Sequence, residues 1–243
     1  MTNAIIYGGI SGLALLVGAW SGIYFKLKQK TTARFMAFGS GVLVCALTFG
    51  LMEEAFVQGG LDASIIGFVL GGLIFIAGDY LIHLLGGRRH KRRQHIVTSM
   101  QASGRAITLG ALLDGIPESI ALGIAIFTGG GTGILMLTAI VLSNFPEGIS
   151  SIEGLKKEKF SNKKIYLIWI IVALLVFMTT ILSFIFLHNI NPDMIGAVEA
   201  FAAGAILAML ADNMMPEAFE EGGFSIGILT VLGFLTAFVL AKI

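Results

Sequence analysis

Residues 106–127 read AITLGALLDGIPESIALGIAIF, an apolar run of membrane length that carries Asp114, Pro117 and Glu118 near its middle. A helix needs about 20 such residues to cross a hydrocarbon core about 30 Å thick. Working outward from this run, comparable ones occur at about 4–25, 35–57, 64–85, 133–152, 165–187, 195–219 and 224–241, so eight spans are expected. The whole chain agrees: of 243 residues, 56% are hydrophobic and 13% charged, and the mean hydropathy is +0.90. That composition excludes a soluble globular domain. The expected fold is an all-α membrane protein whose single domain occupies residues 1–243, with a basic loop at 86–105 as its longest connection.

The basic residues orient the spans. Lys26, Lys28, Lys30 and Arg34 follow the first span, Arg88, Arg89, Lys91, Arg92, Arg93 and Arg105 the third, and Lys156, Lys157, Lys159, Lys163 and Lys164 the fifth. Fifteen of the sixteen basic residues thus sit in three alternate loops, the pattern of cytoplasmic loops, which places both termini outside. Met1 to Ile6 carries no basic residue, so the first span reads as a retained helix rather than a cleaved leader. The run RRHKRRQH from Arg88 to His95 reads as a solvated cytoplasmic loop, with no nucleic-acid partner expected, although anionic lipid or a metal sampled by His90 and His95 is an open alternative.

The chain also repeats itself. At an offset of 163, Phe38, Gly41, Met52, Glu54, Ala55, Phe56, Gly59 and Gly60 coincide with Phe201, Gly204, Met215, Glu217, Ala218, Phe219, Gly222 and Gly223. The second and seventh spans are therefore expected to be one element used twice, in opposite directions. Inverted repeats are common in secondary transporters, whose sites lie near the bilayer midplane.

The spans between the repeats hold the chemistry. The fourth contains Asp114-Gly115-Ile116-Pro117-Glu118-Ser119 and the fifth Ser143-Asn144-Phe145-Pro146-Glu147-Gly148. At ~1.5 Å per residue the three acids share one layer near the midplane, about 12 to 20 Å from the inner end of the fourth span. Each costs about 3 kcal/mol there unless a proton, a cation or a polar partner compensates it. Asp114 and Glu118 are four residues apart and share a helix face, as do Ser143 and Glu147, while Asn144 and Glu147 are three apart. Each proline also frees a carbonyl one turn earlier, at Leu113 and Leu142. Together these groups make a candidate cation cage. Glu54 near the outer end of the second span, with Asp212, Asn213 and Glu217 toward the inner end of the seventh, would flank it as entry and exit. Asp79 and His83 read equally as a proton relay or a buried polar pair, and Cys45, Met52, Met214 and Met215 as packing.

The paired Pro-Glu helices resemble those of the ZIP family of divalent metal transporters, in the branch of the GufA-type bacterial members. The resemblance covers essentially the whole chain. It implies eight helices, with helices 1–3 and 6–8 as inverted triplets around helices 4 and 5, and a homodimer in the plasma membrane. It makes Glu118 and Glu147 the shared metal ligands, puts Asp114 where the family has histidine, gives Gly115 no ligand role, and sets Ser143 and Asn144 at polar ligand positions. Asp212 with Asn213 occupies the seventh helix's polar pair. No prosthetic group is implied; zinc, manganese, iron or cadmium is cargo, moved into the cytoplasm. A cage without imidazole tolerates harder ions than a histidine-rich one.

Two other readings stay open at this level: a metal-sensing or structural membrane protein without flux, and an intramembrane aspartyl hydrolase built on Asp79 and Asp114.

Overall fold

The computed structural model describes residues 1–25, 27–84, 104–129 and 131–242, with only the backbone at 104–107 and 189. It is all helical among those residues. The helices are α1 (Thr2–Tyr24), α2 (Gln29–Ala46), α3 (Glu53–Leu84), α4 (Gly104–Thr128), α5 (Thr132–Lys157), α6 (Asn162–Phe186), α7 (Pro192–Met209), α8 (Met215–Gly222) and α9 (Ser225–Lys242). Several of the visible ends have ordinary chemical causes. Ser161 accepts from the Lys164 amide at 3.4 Å to start α6. Asn191 accepts from the Met194 amide at 3.0 Å, with Pro192 in the first turn of α7. Gly131 supplies the left-handed residue before α5.

Among the described residues, seven helical stretches are long and apolar enough to cross a membrane, against the eight spans expected. The difference lies in residues 29–84, which form one helical stretch of 56 residues. Within it, Gly60 has φ 67° and ψ −171°, so the axis breaks there although the helical run continues on both sides. Two wider π-type turns, Leu47–Met52 after α2 and Leu210–Met214 after α7, begin 163 residues apart. Gly60 and Gly223, both with positive φ, are also 163 residues apart.

Close backbone contacts at glycines show which helices pack together. Gly18 and Gly148 bring α1 against α5, and Gly12 and Gly123 bring α6 against α1 and α4. Gly41 and Gly233 join α2 to α9, while Gly67, Gly71, Gly196 and Gly204 join α3 to α7. Small residues permit this in an apolar medium, where close van der Waals contact replaces the missing hydrophobic drive. Two groups result, α1 with α4, α5 and α6, and α3 with α7; α2 packs on α9 and on α5, and its continuation at Leu47–Met52 reaches α7. This division differs from two outer triplets around a central pair, because α1 and α6 pack on α4 and α5 rather than with their sequence neighbours.

The contacts also fix directions. Ser143 of α5 meets Glu118 of α4, and Gly133 meets Ala125, so these helices are antiparallel. Ser11 meets Asn144 and Ile23 meets Lys156, so α1 and α5 are parallel. Gly60, Gly131 and His188 thereby fall toward one end of the molecule, the terminal face, where Phe127 and His188 rings lie 4.9 Å apart. Leu27, Glu153 and Lys156 fall at the other, the basic face. The central layer is the better covered: two thirds of the apolar window of α4 is buried but only 17% of that of α9. Exposed Ile65, Val69, Leu73, Leu174, Leu182 and Val231 make the outside apolar, as lipid contact requires. The basic residues from Arg88 to Arg93, with His90 and His95, lie outside the described residues.

Candidate metal site

Helices α4 and α5 come together at their prolines. Pro117 and Pro146 both sit inside continuous helices. The carbonyl that Pro146 frees, at Leu142, packs against Gly39 of α2: a Cβ added there would lie 2.7 Å from its oxygen. Next to this contact, Ser143 Oγ donates to Glu118 Oε1 at 2.9 Å. From the turn after α7, Asn213 Nδ2 donates to Asp114 Oδ1 at 3.0 Å. The wide turn at Leu210–Met214 rotates the end of α7 so that Asn213 is buried while Asp212 stays half-exposed.

These hydrogen bonds leave acceptors over. Glu118 is 2% exposed, and its Oε2 has no partner among the described residues; Asn213 Oδ1 is likewise buried without one among them. With Glu118 ionised both atoms only accept, so neither can satisfy the other. They belong to residues lining a cavity of about 10 Å³, the room one water or one ion fills. Its walls are Asp114, Glu118, Ser143, Glu147, Ser150, Asn213 and Glu217, with the thioethers of Met36, Met209 and Met214. A group that offers positive charge and no lone pairs is what this lining lacks. Oxygen donors dominate, which suits a hard or borderline divalent cation, and the thioethers add soft contacts at the rim.

Among the described residues, no three His, Cys, Asp or Glu side chains gather closely enough to hold an ion by themselves. An ion at this point therefore draws part of its shell from serine, amide or water.

The cavity leads to the basic face. A larger vestibule of about 330 Å³ shares Met36, Ser150 and Glu217 with it and continues past Gln29, Thr32, Glu153 and Glu221. Its mouth is polar: Gln29 donates to Glu153, Glu153 pairs with Lys157 at 2.7 Å, and Lys156 Nζ donates to the Ile23 carbonyl at 3.1 Å. Toward the terminal face there is instead a dense apolar cluster that includes Leu43, Leu122, Ala125, Met136, Ile140 and Ile206.

Of the nine residues expected at the site, six come together: Asp114, Glu118, Ser143, Glu147, Asn213 and Glu217. Three do not. Asn144 is 1% exposed but turns away, its Nδ2 donating to the carbonyl and the hydroxyl of Ser11, each at 3.2 Å, which ties α5 to α1. Asp212 is not part of the lining. Glu54 sits in the first turn of α3 outside the lining, accepting from Gln58 at 2.9 Å. Asp79 and His83 also lie apart from the cavity, with His83 exposed, so the structure does not bring Asp79 into the pocket that holds Asp114. Sequence reasoning missed Ser150, one turn beyond Glu147 and readable from that spacing, and Met36 and Met209, which carry no distinctive signal.

No family model matches the chain. Curated relatives do. The chain is 29% identical to the zinc transporter ZupT of Shigella dysenteriae over 96% of each protein. It is 28% identical to the proteins of that name from Salmonella paratyphi A and Salmonella newport, over 90% of this chain and 88% of theirs. This similarity runs along almost the entire length of proteins named zinc transporters, and it stands beside the resemblance of the paired Pro-Glu helices to those of the ZIP family.

Proposed function

We propose that the chain moves divalent metal cations, zinc foremost among them, through the cavity between α4, α5 and the end of α7. The observation that carries this reading is the pair of buried oxygens without a hydrogen-bond partner among the described residues, Glu118 Oε2 and Asn213 Oδ1, in residues lining a cavity that shares Met36, Ser150 and Glu217 with the vestibule on the basic face. The relatives named zinc transporters support the cargo. A single cation is the proposed load, since the cavity has room for about one.

The membrane arrangement follows from several observations. A 56-residue helical stretch would extend ~84 Å if straight, nearly three times a bilayer core. The break at Gly60 therefore supports two passes in residues 29–84 and eight in total. The matched π-turns and positive-φ glycines, each 163 residues apart, support an inverted duplication. So do the reciprocal contacts in which the Phe38 carbonyl meets Gly233 and the Phe201 carbonyl meets Gly71. With basic loops inside, the vestibule opens to the cytoplasm and both termini face out. The group of α1, α4, α5 and α6 and the remaining helices supply the moving parts. At the boundary between them, Gly39 of α2 meets the Leu142 carbonyl of α5, and Gly78 of α3 meets the Leu113 side chain of α4. Sliding of α1, α4, α5 and α6 against the other helices would carry Asp114, Glu118 and Glu147 between the two faces and bring metal inward.

The test is uptake by proteoliposomes of zinc, manganese, cadmium, iron and magnesium in parallel. Zinc uptake that vanishes in Glu118→Gln is expected. Metal binding with no flux in the wild-type protein would replace transport by sensing.

A further inference from the structure

Glu199 of α7 is 1% exposed, and neither carboxylate oxygen has a hydrogen-bond partner among the described residues. It lies outside the central cavity, fourteen residues or ~21 Å along the helix from Asn213, with Ala202, Ala203, Ile206 and Met209 of the apolar core between. The acid within its electrostatic reach is Glu54. Geometry explains the pairing. α3 and α7 cross where Gly59 meets Gly196. Glu199 follows Gly196 by three residues and Glu54 precedes Gly59 by five, so both lie about a turn below the crossing, ~10 Å from the terminal face. Glu54 is half-exposed there and held by Gln58, so the pair has one wet and one dry member.

The 163-residue correspondence gives this pair a counterpart. Glu54 matches Glu217, and Glu199 matches Met36. Glu217 and Met36 are two of the three residues shared by the central cavity and the vestibule on the basic face. The duplicated positions that line the path on one face thus carry two carboxylates on the other.

We propose that Glu54 and Glu199 form a second cation site, an outer station that takes a divalent metal ion on the terminal side before the apolar seal opens. A dry carboxyl with no donor is compensated by a proton or by a cation, and for the ionised pair with its second carboxylate one divalent ion is the matching charge. The assignment of this site to a transport path rests on the reading above, but the binding it predicts does not.

Equilibrium dialysis of zinc ion against the detergent-purified full chain tests it. The wild type is expected to hold two ions, Glu199→Gln one, Glu118→Gln one, and the double variant none. A Glu199→Gln protein that binds as much zinc as the wild type overturns the station, as does a wild type whose one ion is lost in Glu118→Gln. Zinc lost in Glu199→Gln but unchanged in Glu118→Gln keeps the station and removes the central site instead. Should Glu199→Gln fail to remain monodisperse, the half-exposed Glu54→Gln is expected to lose the same ion, and full retention there overturns the proposal equally.

Discussion

The two sides of the central layer differ in kind. Toward the basic face, Met36, Ser150 and Glu217 lead from the cavity into a vestibule of about 330 Å³. Toward the terminal face, Leu43, Leu122, Met136, Ile140 and Ile206 are fully or almost fully buried in one cluster. Two elements with like turns, at Leu47–Met52 and Leu210–Met214, thus meet different surroundings. On the transport reading proposed above, this is one of two alternative arrangements. Opening the seal alone would cost about 1.5–3 kcal/mol for each large apolar side chain wetted, so it must be offset by closing the vestibule.

The largest expected effect comes from removing the layer itself. Glu118→Ala and Glu147→Ala should each cut zinc uptake by about 100-fold or more, since even groups that only orient metal ligands are worth about 10–100-fold; uptake assays read this directly. Next, Asp114→His should raise zinc uptake relative to manganese by about tenfold, because imidazole suits zinc better than manganese; an unchanged ratio would break the link between donor set and selectivity. The comparison itself is tested by labelling. Ser150→Cys should react with a water-soluble thiol reagent applied to the basic face, whereas Ala203→Cys in the seal should react several-fold more slowly from either face. A smaller effect is expected at Asn144→Ala, which removes the two bonds to Ser11 and should lower stability by about 1 kcal/mol in a thermal melt while leaving metal preference unchanged. The smallest belongs to Glu153→Gln, where the exposed Glu153–Lys157 pair contributes about 0.5 kcal/mol or less.

The site was legible where local spacing decides geometry. Asp114 and Glu118, and Ser143 and Glu147, stand four apart beside a proline, and that spacing puts each pair on one face whatever surrounds the helix. Asn144 fails because its partner, Ser11, lies 133 residues away on α1. Only the close approach at Gly18 and Gly148 creates that contact. Glu199 was invisible for a related reason: it has no acid near it in the chain and matches a methionine in the repeat, so neither motif nor self-comparison marks it. The seventh helix's polar pair splits, since the wide turn at Leu210–Met214 buries Asn213 and leaves Asp212 half-exposed. Gly60 was legible as part of a Gly-Gly pair, yet hydropathy cannot tell that helix resumes directly after the break.

The most direct measurement is anomalous X-ray scattering at the zinc edge from crystals of the full chain soaked in zinc. The account predicts a peak in the cavity bounded by Asp114, Glu118, Glu147 and Asn213, lost in Glu118→Gln. Zinc bound elsewhere with that cavity free of it, or a cavity peak unchanged in Glu118→Gln, would contradict it.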